Sequence, residues 1–354
     1  MARPLQAEIH LDAIRHNFQC AVAKNPKAKT LAVVKANAYG HGSVVVAHAL
    51  KGMASAFAVA SIEEAIELRQ GQVKEPILLL EGVFSSNELA MAELNDFWLV
   101  VHSTYQFEWL ESHLQSSSWR PQLWLKLDTG MHRLGLNSTE MSDIVSRLHR
   151  IDSMPEPIIM SHFACADDPE RYENQQAIER FDGVSPNIKS LSNSAALFSG
   201  LTASDDWQRL GIGLYGGTPS ISPVDALIPA MRLKTAVIAL RKIEAGESVG
   251  YGATYQADST RRIATIAVGY ADGYPRQAKQ GTPVMINGCE APIVGRVSMD
   301  MITIDVTHVS DVAIGDTVVL FGPELIADRV AKCCDTIDYT LFSGLTARVP
   351  RRYV

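Results

Sequence analysis

Polar side chains stand directly beside short apolar runs at several points of the chain, where they could take part in chemistry. These side chains are Lys35, Asp128, His162, Asn193, Ser194 and Arg209. A lysine amine next to a buried run loses its hydration, which is costly unless the amine is paired with an acid or covalently bound. Taken alone, such a lysine is more often part of a structural ion pair than a catalytic group. The elements that carry these residues therefore decide what Lys35 can do.

Eight short apolar runs occupy the first part of the chain. They cover residues 31–34, 57–60, 77–80, 98–101, 123–127, 158–161, 190–192 and 210–214. Continuous apolar runs are typical of strands buried on both faces, which belong to parallel sheets covered by helices. Eight strand–helix units over roughly 225 residues predict an α/β fold, a (β/α)₈ TIM-type barrel, since such barrels span about 250 residues. An open doubly wound sheet is the alternative. Functional groups of a barrel lie where its strands end.

The segment 61–71 predicts the clearest of the intervening helices. Ser61 and Glu64 have the spacing of a capping box, and Gly71 is placed to end the helix. In a capping box each of the two side chains accepts a hydrogen bond from the backbone N–H of the other residue. We therefore expect Ser61 and Glu64 to bond to each other's backbone.

From about residue 230 the pattern changes to strands separated by turns such as Asn287-Gly288. The strand-like runs cover residues 235–240, 262–268, 283–286 and 317–321. Little in this part resembles a helix until the approach to the C-terminus. We therefore expect two domains, with residues 1–228 forming the barrel and residues 229–354 forming a mostly β domain.

Composition narrows the possible partners of the chain. Its 354 residues carry a formal net charge of −7 without a basic stripe, which favours a small-molecule partner and no nucleic acid. No apolar stretch approaches the roughly 18 residues of a membrane span, and the N-terminus soon becomes charged, so we expect a cytoplasmic protein without a membrane partner. The five cysteines fit neither a zinc spacing nor a disulfide framework, which predicts reduced, mostly buried thiols and no metal.

Two longer motifs make the chain similar to a known family. Residues 34–42 (VKANAYGHG) resemble the pyridoxal-phosphate attachment motif of the alanine racemases, and residues 248–255 (SVGYGATY) resemble the segment with that family's second base. Motifs of this length match by chance far less readily than short glycine patterns. The resemblance runs from about Leu5 to Arg351. It implies an alanine racemase, an isomerase in which Lys35 binds pyridoxal 5'-phosphate as an aldimine and Lys35 and Tyr251 transfer protons.

Two bases suit the reaction that this resemblance implies. Pyridoxal phosphate acidifies the Cα proton of a bound amino acid, so the protein has only to move that proton. Inversion needs a proton removed from one face and returned to the other. Lys35 can reach one face, and Tyr251 opposite would supply a second donor and acceptor. Because a tyrosine has a reference pKa of about 10, cations or hydrogen bonds such as those of His162 and Arg209 must lower it.

The resemblance assigns further cofactor contacts to the barrel. Arg209 matches the family arginine that faces the pyridine nitrogen, to which it can donate a hydrogen bond without losing its proton. His162 matches the residue that bridges this arginine towards the tyrosine. The remaining implied cofactor contacts, most of them on the phosphate, are Tyr39, Asn193, Ser194 and the N–H groups of Gly211 and Ile212. Alternatively, Arg209 pairs with an acidic residue and His162 is a core histidine. Ala347 departs from the family, because some members have a phosphate-binding tyrosine there.

A last set of implied residues contacts the substrate. Arg133 matches the family arginine near the substrate carboxylate and the phenolic oxygen of the cofactor, roles suited to a planar guanidinium. Lys126 occupies a position that some members carbamylate. Met299 matches a residue of the carboxylate pocket, and Tyr270 matches an aromatic that narrows the access path. A narrow path favours alanine first and serine second. Core packing is the alternative for Met299 and Tyr270.

In the family that Tyr251 resembles, the tyrosine comes from a neighbouring subunit, which implies a homodimer with shared active sites. Three rivals remain: a decarboxylase on a similar barrel, a non-catalytic pyridoxal-phosphate carrier and a broad-specificity racemase. Arg209 argues against the decarboxylase, which would place a carboxylate at the ring nitrogen. Tyr251 and Met299 argue against the carrier, and the lack of an export signal argues against broad specificity. Whether D-alanine is made as a peptidoglycan precursor or consumed for growth stays open.

Overall fold

The computed structural model describes residues 3–184, 188–201, 205–221 and 223–354. Its first sheet is parallel and eight-stranded. The chain's first strand, β1 (Gln6–Ile9), lies outside this sheet, which consists of β2 (Lys29–Val33), β3 (Ala56–Val59), β4 (Ile77–Leu79), β5 (Trp98–Val101), β6 (Leu123–Lys126), β7 (Ile158–Met160), β8 (Lys189–Ser190) and β9 (Trp207–Leu210). The helices around it are Leu11–Lys24, Ser43–Ala49, Ile62–Gln70, Glu88–Leu94, Thr104–Leu114, Ser138–Leu148, Tyr172–Asp182 and Ser194–Ser199.

The eight strands close into a barrel. Strand β2 pairs with β3 on one side and with β9 on the other. Strands β8 and β9 meet through backbone hydrogen bonds from Asp206 N to Lys189 O (2.9 Å) and from Arg209 N to Ser192 O (3.1 Å). Closure removes the free sheet edges, because every strand then has two neighbours. The predicted TIM-type barrel is confirmed.

The barrel strands are buried on both faces, as their continuous apolar runs predicted. Leu31 and Val33 of β2 pack in one cluster with Trp124 and Trp207, whereas Ala32 between them packs in the larger cluster that includes the helices. Successive side chains of a strand point to opposite faces, so one cluster fills the barrel and the other joins it to the helix layer.

The position predicted for the eighth strand was wrong. The prediction placed it at residues 210–214, but β9 spans Trp207–Leu210 and a 3-10 helix follows at Ile212–Tyr215. The strand was missed because it contains two polar residues, Gln208 and Arg209, which are nonetheless buried. Gln208 Nε2 donates to Ala21 O (3.0 Å) and to Thr30 Oγ1 (2.7 Å), so its burial is compensated.

The helix predicted at 61–71 forms, but its predicted capping box does not. The helix spans Ile62–Gln70, and the Ser61 side chain makes no capping hydrogen bond. The Glu64 carboxylate instead accepts from Ala60 N (2.8 Å) and from Ala36 N (2.7 Å). Glu64 therefore links this helix to the segment that follows β2, a tertiary contact that local spacing could not predict.

The second sheet is built mainly from the C-terminal part of the chain. Its strands are β10 (Met231–Ile243), β13 (Arg261–Ile266), β14 (Pro283–Ile286), β15 (Cys289–Pro292), β16 (Ile302–Asp305), β17 (Thr317–Phe321) and β18 (Arg351–Tyr353), with β11 (Ser248–Val249) and β12 (Tyr255–Gln256) forming a separate hairpin. Two helices, Ala327–Cys333 and Asp338–Ser343, precede β18. Strand β1 joins this sheet by pairing with β10 and β18. A domain boundary near residue 228 stays a prediction. Strand β1 precedes the barrel in sequence but belongs to the sheet of the C-terminal part.

The described ranges contain no helix of the length and apolar character needed to cross a membrane. They also contain no group of three or more histidine, cysteine, aspartate or glutamate residues arranged to hold a metal ion. The cysteines are free thiols, but only Cys334 is fully buried and Cys289 is exposed. The prediction of mostly buried thiols was therefore wrong, because apolar residues fill most of the core.

Candidate functional site

A cavity of about 680 Å³ opens at the carboxyl ends of the barrel strands. This is the end at which barrel enzymes carry their functional groups. The cavity brings together ten of the residues predicted from sequence, namely Lys35, Tyr39, Lys126, Arg133, His162, Asn193, Ser194, Arg209, Gly211 and Ile212. These residues come from five separate stretches of the chain, which converge because they lie in or after strands that are parallel neighbours.

A left-handed turn places Lys35 and Tyr39 at the same cavity. Residues 36–39 all have φ between 51° and 53° although none is glycine. This conformation costs an L-residue about 1–2 kcal/mol, so the surroundings must hold it. Hydrogen bonds from Ala38 N to Val34 O (2.8 Å) and from Gly40 N to Ala36 O (2.9 Å) close the turn. Lys35 and Tyr39 are four residues apart in this helical turn, so both side chains face the same space.

Tyr39, Ser194 and Gly211 form a compact group of donors on one wall. A Cβ built on Gly211 would lie 3.0 Å from the Tyr39 hydroxyl, so any larger residue would crowd it. Gly211 N donates to Ser194 Oγ over 2.8 Å. Burial raises the pKa of Tyr39 to about 12, which keeps its phenol protonated and able to donate. Hydroxyl and backbone donors of this kind, next to a glycine, suit a phosphate.

Arg209 lies buried in β9, two residues before Gly211, and has no carboxylate partner in the described part of the chain. Its Nη1 donates to Ser190 O (2.8 Å) and Ser190 Oγ (2.7 Å), and its Nη2 donates to Ser161 O (2.6 Å) and Leu191 O (3.1 Å). Burial lowers the pKa of Arg209 to about 10, against the opposing effect of Asp205. Among the described residues the Nε atom has no hydrogen-bond acceptor.

The acidic partner considered for Arg209 is not found among the described residues. The nearest candidate, Asp205, uses both carboxylate oxygens to accept from Leu191 N (2.7 Å) and Ser192 N (2.8 Å). Asp205 therefore shapes the loop after β8. It raises the pKa of Arg209 only through space, since no ion pair joins the two side chains.

His162 is held next to Arg209 as a neutral imidazole. Its Nδ1 lies 3.3 Å from Arg209 Nη2. A guanidinium can only donate, so Nδ1 accepts in this contact. The amide nitrogen of Asn193 lies 3.5 Å from Nε2 on the other side of the ring. Burial, followed by the charges of Arg209 and Lys126, lowers the pKa of His162 well below its usual value. A neutral histidine can connect Arg209 to a further polar group by hydrogen bonds, but it adds no positive charge to the site.

The charge of the cavity is strongly positive. Lys35, Lys126, Arg133 and Arg209 line it, and Glu81 is the one carboxylate among the described lining residues. Burial, followed by the charges of Arg209 and Arg133, lowers the pKa of Lys126 to about 8. The cavity therefore suits an anionic ligand, and its Lys126 amine is substantially unprotonated near that pH.

Four of the residues singled out from sequence lie outside this cavity. Asp128, which follows β6, accepts from Gly130 N (3.0 Å) and from His132 Nδ1 (2.8 Å), so it organises its own loop. Tyr251, Tyr270 and Met299 belong to the C-terminal part of the chain, and their exposed fractions are 69%, 37% and 52%. The exposure of Tyr270 and Met299 also excludes the alternative that these two side chains pack in the core of this chain.

Backbone hydrogen bonds join the two segments that carry Tyr270 and Met299. Tyr270 N donates to Ser298 O (3.1 Å), and Ala271 N donates to Met299 O (3.1 Å). Asp272 ends the same turn, fully buried, and accepts a pair of hydrogen bonds of 2.6 Å from Arg3. Tyr270 and Met299 thus form one fixed exposed surface of the chain.

Sequence reasoning missed Tyr339 and Ser343 as lining residues. Both lie on the helix Asp338–Ser343, which brings the C-terminal part of the chain to the barrel cavity. The Tyr339 ring lies 5.8 Å from that of Tyr39, and burial raises its pKa, so its phenol stays protonated. Their spacing of four residues, which puts both on one helix face, was the available signal. Ala347, singled out as a departure in the phosphate region, does not line the cavity.

Comparison with known proteins covers the chain almost completely. Residues 9–219 match the family model of the alanine racemase N-terminal domain, and residues 230–353 match that of the alanine racemase C-terminal domain. An alanine racemase from Alteromonas mediterranea is 44% identical in an alignment of 356 positions that covers 99% of each chain.

Solved structures agree with these matches. The biosynthetic alanine racemase from Pseudomonas aeruginosa superposes with a TM-score of 0.95 at 44% identity, covering 99% of each chain. An alanine racemase from Bartonella henselae with covalently bound pyridoxal phosphate superposes with a TM-score of 0.93 at 30% identity over the whole of both chains. These likenesses confirm the resemblance and the enzyme class predicted from the two sequence motifs. The chain belongs to the alanine racemase family of isomerases.

Proposed function

We propose that this protein interconverts L-alanine and D-alanine by a two-base proton transfer, with pyridoxal 5'-phosphate held in the barrel cavity by Lys35. The observation that carries the proposal is the convergence of three features at one cavity. These are the Lys35 amine, the donor group around Tyr39, and a buried Arg209 without a carboxylate partner. The match to alanine racemases along the chain supports the choice of substrate.

The residues present fit the cofactor. Lys35 offers an amine for a covalent bond to the cofactor aldehyde, and Tyr39, Ser194 and the N–H of Ile212 offer donors to its phosphate. The N–H of Gly211 donates to Ser194 Oγ and would turn to the phosphate when the cofactor binds. Substituting Gly211 would place a Cβ 3.0 Å from the Tyr39 hydroxyl, so the wall that would hold the phosphate depends on that glycine. When bound, pyridoxal phosphate makes the Cα proton of an attached amino acid acidic.

Asn193 and Tyr339 would support the same cofactor site. The Asn193 side chain accepts from Ala196 N (3.0 Å), which fixes the loop that leads into Ser194. The Tyr339 phenol lies beside Tyr39 and stays protonated, so it can serve as a further phosphate donor. It would replace the phosphate contact that some family members take from a tyrosine where this chain has Ala347.

Arg209 would set the electronic character of the site. Its guanidinium can donate a hydrogen bond to the ring nitrogen but does not transfer its proton there, since even the lowered pKa is about 10. A carboxylate in its place would favour a protonated ring nitrogen and stronger electron withdrawal. Arg209 therefore favours simple return of the proton over transamination. The neutral His162 beside Arg209 would link the guanidinium to the second base through a hydrogen bond.

Lys35 and Tyr251 would exchange protons with opposite faces of the substrate Cα. Lys35 lines the barrel cavity, whereas Tyr251 is 69% exposed and does not line it. A second copy of the chain that docks with this surface would carry Tyr251 to the cavity, so the proposal includes a homodimer with shared active sites. Tyr270 and Met299 would arrive with it and narrow the access path to side chains of the size of alanine or serine.

Arg133 would bind the substrate carboxylate, and Lys126 would hold Arg133 in place. The lowered pKa of Lys126, about 8, leaves its amine free to attack carbon dioxide. In that reaction the amine nitrogen bonds to the carbon, a proton is released and a carbamate anion remains. The anion would replace one cation by one negative charge among Arg133, Arg209 and Lys35, which relieves their mutual repulsion.

The proposed cellular setting is the cytoplasm. Free thiols at all five cysteines support a reducing compartment. Supply of D-alanine for peptidoglycan and consumption of D-alanine for growth would both use the same site.

The direct test measures D-alanine formed from L-alanine by protein supplied with pyridoxal phosphate. We expect racemisation and an absorbance band of the bound cofactor. Treatment with borohydride should attach the cofactor permanently to Lys35. Lys35→Ala should lose both the fixed label and the activity. Protein that shows no bound-cofactor band after supply, or that leaves L-alanine unchanged, would contradict the proposal.

A further inference from the structure

Glu64 joins the ends of two neighbouring barrel strands. Its Oε1 accepts from Ala36 N over 2.7 Å, and its Oε2 accepts from Ala60 N over 2.8 Å. Ala36 directly follows Lys35, and Ala60 follows β3. The backbones of β2 and β3 stay in contact as far as the hydrogen bond from Val34 N to Ala58 O (2.8 Å). Glu64 continues the link beyond the point where the two backbones separate.

The turn that begins after Lys35 needs an external restraint. Residues 36–39 hold left-handed φ angles of 51–53°, which L-residues adopt only where the surroundings enforce them. The later N–H groups of Ala38 and Gly40 donate within the turn itself. The N–H of Ala36, where the left-handed conformation starts, donates instead to the Glu64 carboxylate. A hydrogen bond to an ionised acceptor is roughly twice as strong as a neutral one.

We propose that Glu64 is a positioning residue for Lys35: by holding the peptide N–H that follows the lysine, its carboxylate sets the direction in which the amine enters the cavity. Glu64 does not line the cavity, so it acts through Lys35 and not on a ligand. The sequence did not indicate this role, because a glutamate three residues after Ser61 also has the spacing of a local capping box. The inference rests on the proposed function, in which Lys35 transfers a proton at one face of the substrate.

Hydrogen exchange tests the restraint without any need for activity. In the holoenzyme, amide exchange of the segment 35–43, measured by mass spectrometry, should become about tenfold faster or more in Glu64→Gln and Glu64→Ala. Glu64→Gln keeps the side-chain shape and so guards against a folding defect. It still removes part of the restraint, because the amide oxygen can accept from only one of the two N–H groups. Glu63→Gln is the matched control: Glu63 is exposed on the same helix turn and bonds to Ser61. Its exchange should match that of the unaltered protein.

Deuterium isotope effects test the direction of the amine. With Cα-deuterated D-alanine and L-alanine, misplacing Lys35 should raise the isotope effect for one enantiomer and leave the other unchanged, because Lys35 serves one face. A general loss of structure would affect both. Unaltered exchange in the Glu64 variants, or isotope effects that rise equally for both enantiomers, would overturn the positioning role. Unaltered protein that fails to racemise alanine would overturn the proposed function instead, and the exchange result would still decide whether Glu64 restrains the turn.

Discussion

Arg209 donates from Nη2 to Nδ1 of His162 over 3.3 Å, so a permanent cation and a neutral imidazole lie side by side at the barrel mouth. Nη1 donates to Ser190, and the two N–H groups of Nη2 are shared among His162, Ser161 O and Leu191 O. The orientation of Arg209 is therefore determined by Ser190 of β8 and by the residues that directly follow β7 and β8.

Arg209→Lys should weaken both the fold and the activity. A lysine ammonium cannot reproduce the planar fork, so at least one buried carbonyl, at Ser161 or Leu191, loses its donor. An unsatisfied buried acceptor costs about 1–3 kcal/mol, which urea unfolding would detect. Racemisation should fall as well. Arg171→Lys, at an exposed pair with Glu173, should leave the urea midpoint unchanged. Equal midpoints for both variants would contradict the structural role of Arg209.

Tyr251→Phe should retain bound cofactor yet lose most of the racemisation. The phenol is 69% exposed on its own chain and contributes nothing to the barrel core, so cofactor binding should survive. Loss of a general acid/base group typically lowers the rate about 10²–10⁴-fold. Tyr255→Phe, whose hydroxyl contacts Asp305 at 3.4 Å, is the control in the same segment and should keep most of the activity. A fully active Tyr251→Phe protein would remove Tyr251 from the mechanism.

Mixing two inactive variants should restore activity if the site is shared between subunits. In a mixed dimer of Lys35→Ala and Tyr251→Phe, one site has an intact lysine from one chain and an intact tyrosine from the other. Random pairing makes about half of the dimers mixed, with one working site in two, so about one quarter of the normal activity should return. Mixed, refolded protein that stays inactive while forming dimers would contradict a shared site.

The stability of the protein should depend on pH through Lys126. Its pKa falls from about 10.5 to about 8 on folding, chiefly through burial, so the folded protein binds this proton less tightly than the unfolded chain. The loss of folding stability caused by this lowered pKa is fully present below pH 8, where Lys126 is protonated in both states. It disappears as the pH rises from about 8 to about 10.5. In carbon-dioxide-free buffer, Lys126→Met should therefore raise the free energy of unfolding, on the order of 3 kcal/mol at most, below pH 8 and progressively less above it.

Carbamylation of Lys126 can be separated from this titration. In bicarbonate enriched in carbon-13, the protein should show a carbamate resonance that is absent from Lys126→Met. The exposed Lys242, paired with Glu244, offers the control, since Lys242→Met should leave both the resonance and the pH dependence unchanged. A resonance that persists without Lys126 would assign the carbamate to another amine.

Much of the barrel could be predicted from the sequence, because buried parallel strands impose a local pattern. The runs before Lys35, Asp128 and His162 mark strands that the structure contains, since both faces of those strands exclude polar side chains. The eighth strand was misplaced because Gln208 and Arg209 are polar and yet buried, and only their hydrogen-bond partners make that possible. Spacing along the chain could not reveal those partners.

The sequence by itself determined the order of the strands, the family and the set of residue types available for chemistry. Tertiary structure alone decided which of them meet: it placed Arg209 beside His162, turned Glu64 towards Ala36, and left Tyr251 exposed and Asp128 outside the cavity. The physical reason is the different distance along the chain over which the two kinds of interaction act. Hydrophobic periodicity acts over neighbouring residues, whereas a charge or hydrogen-bonding group is satisfied by whatever the closed barrel brings within about 3 Å of it.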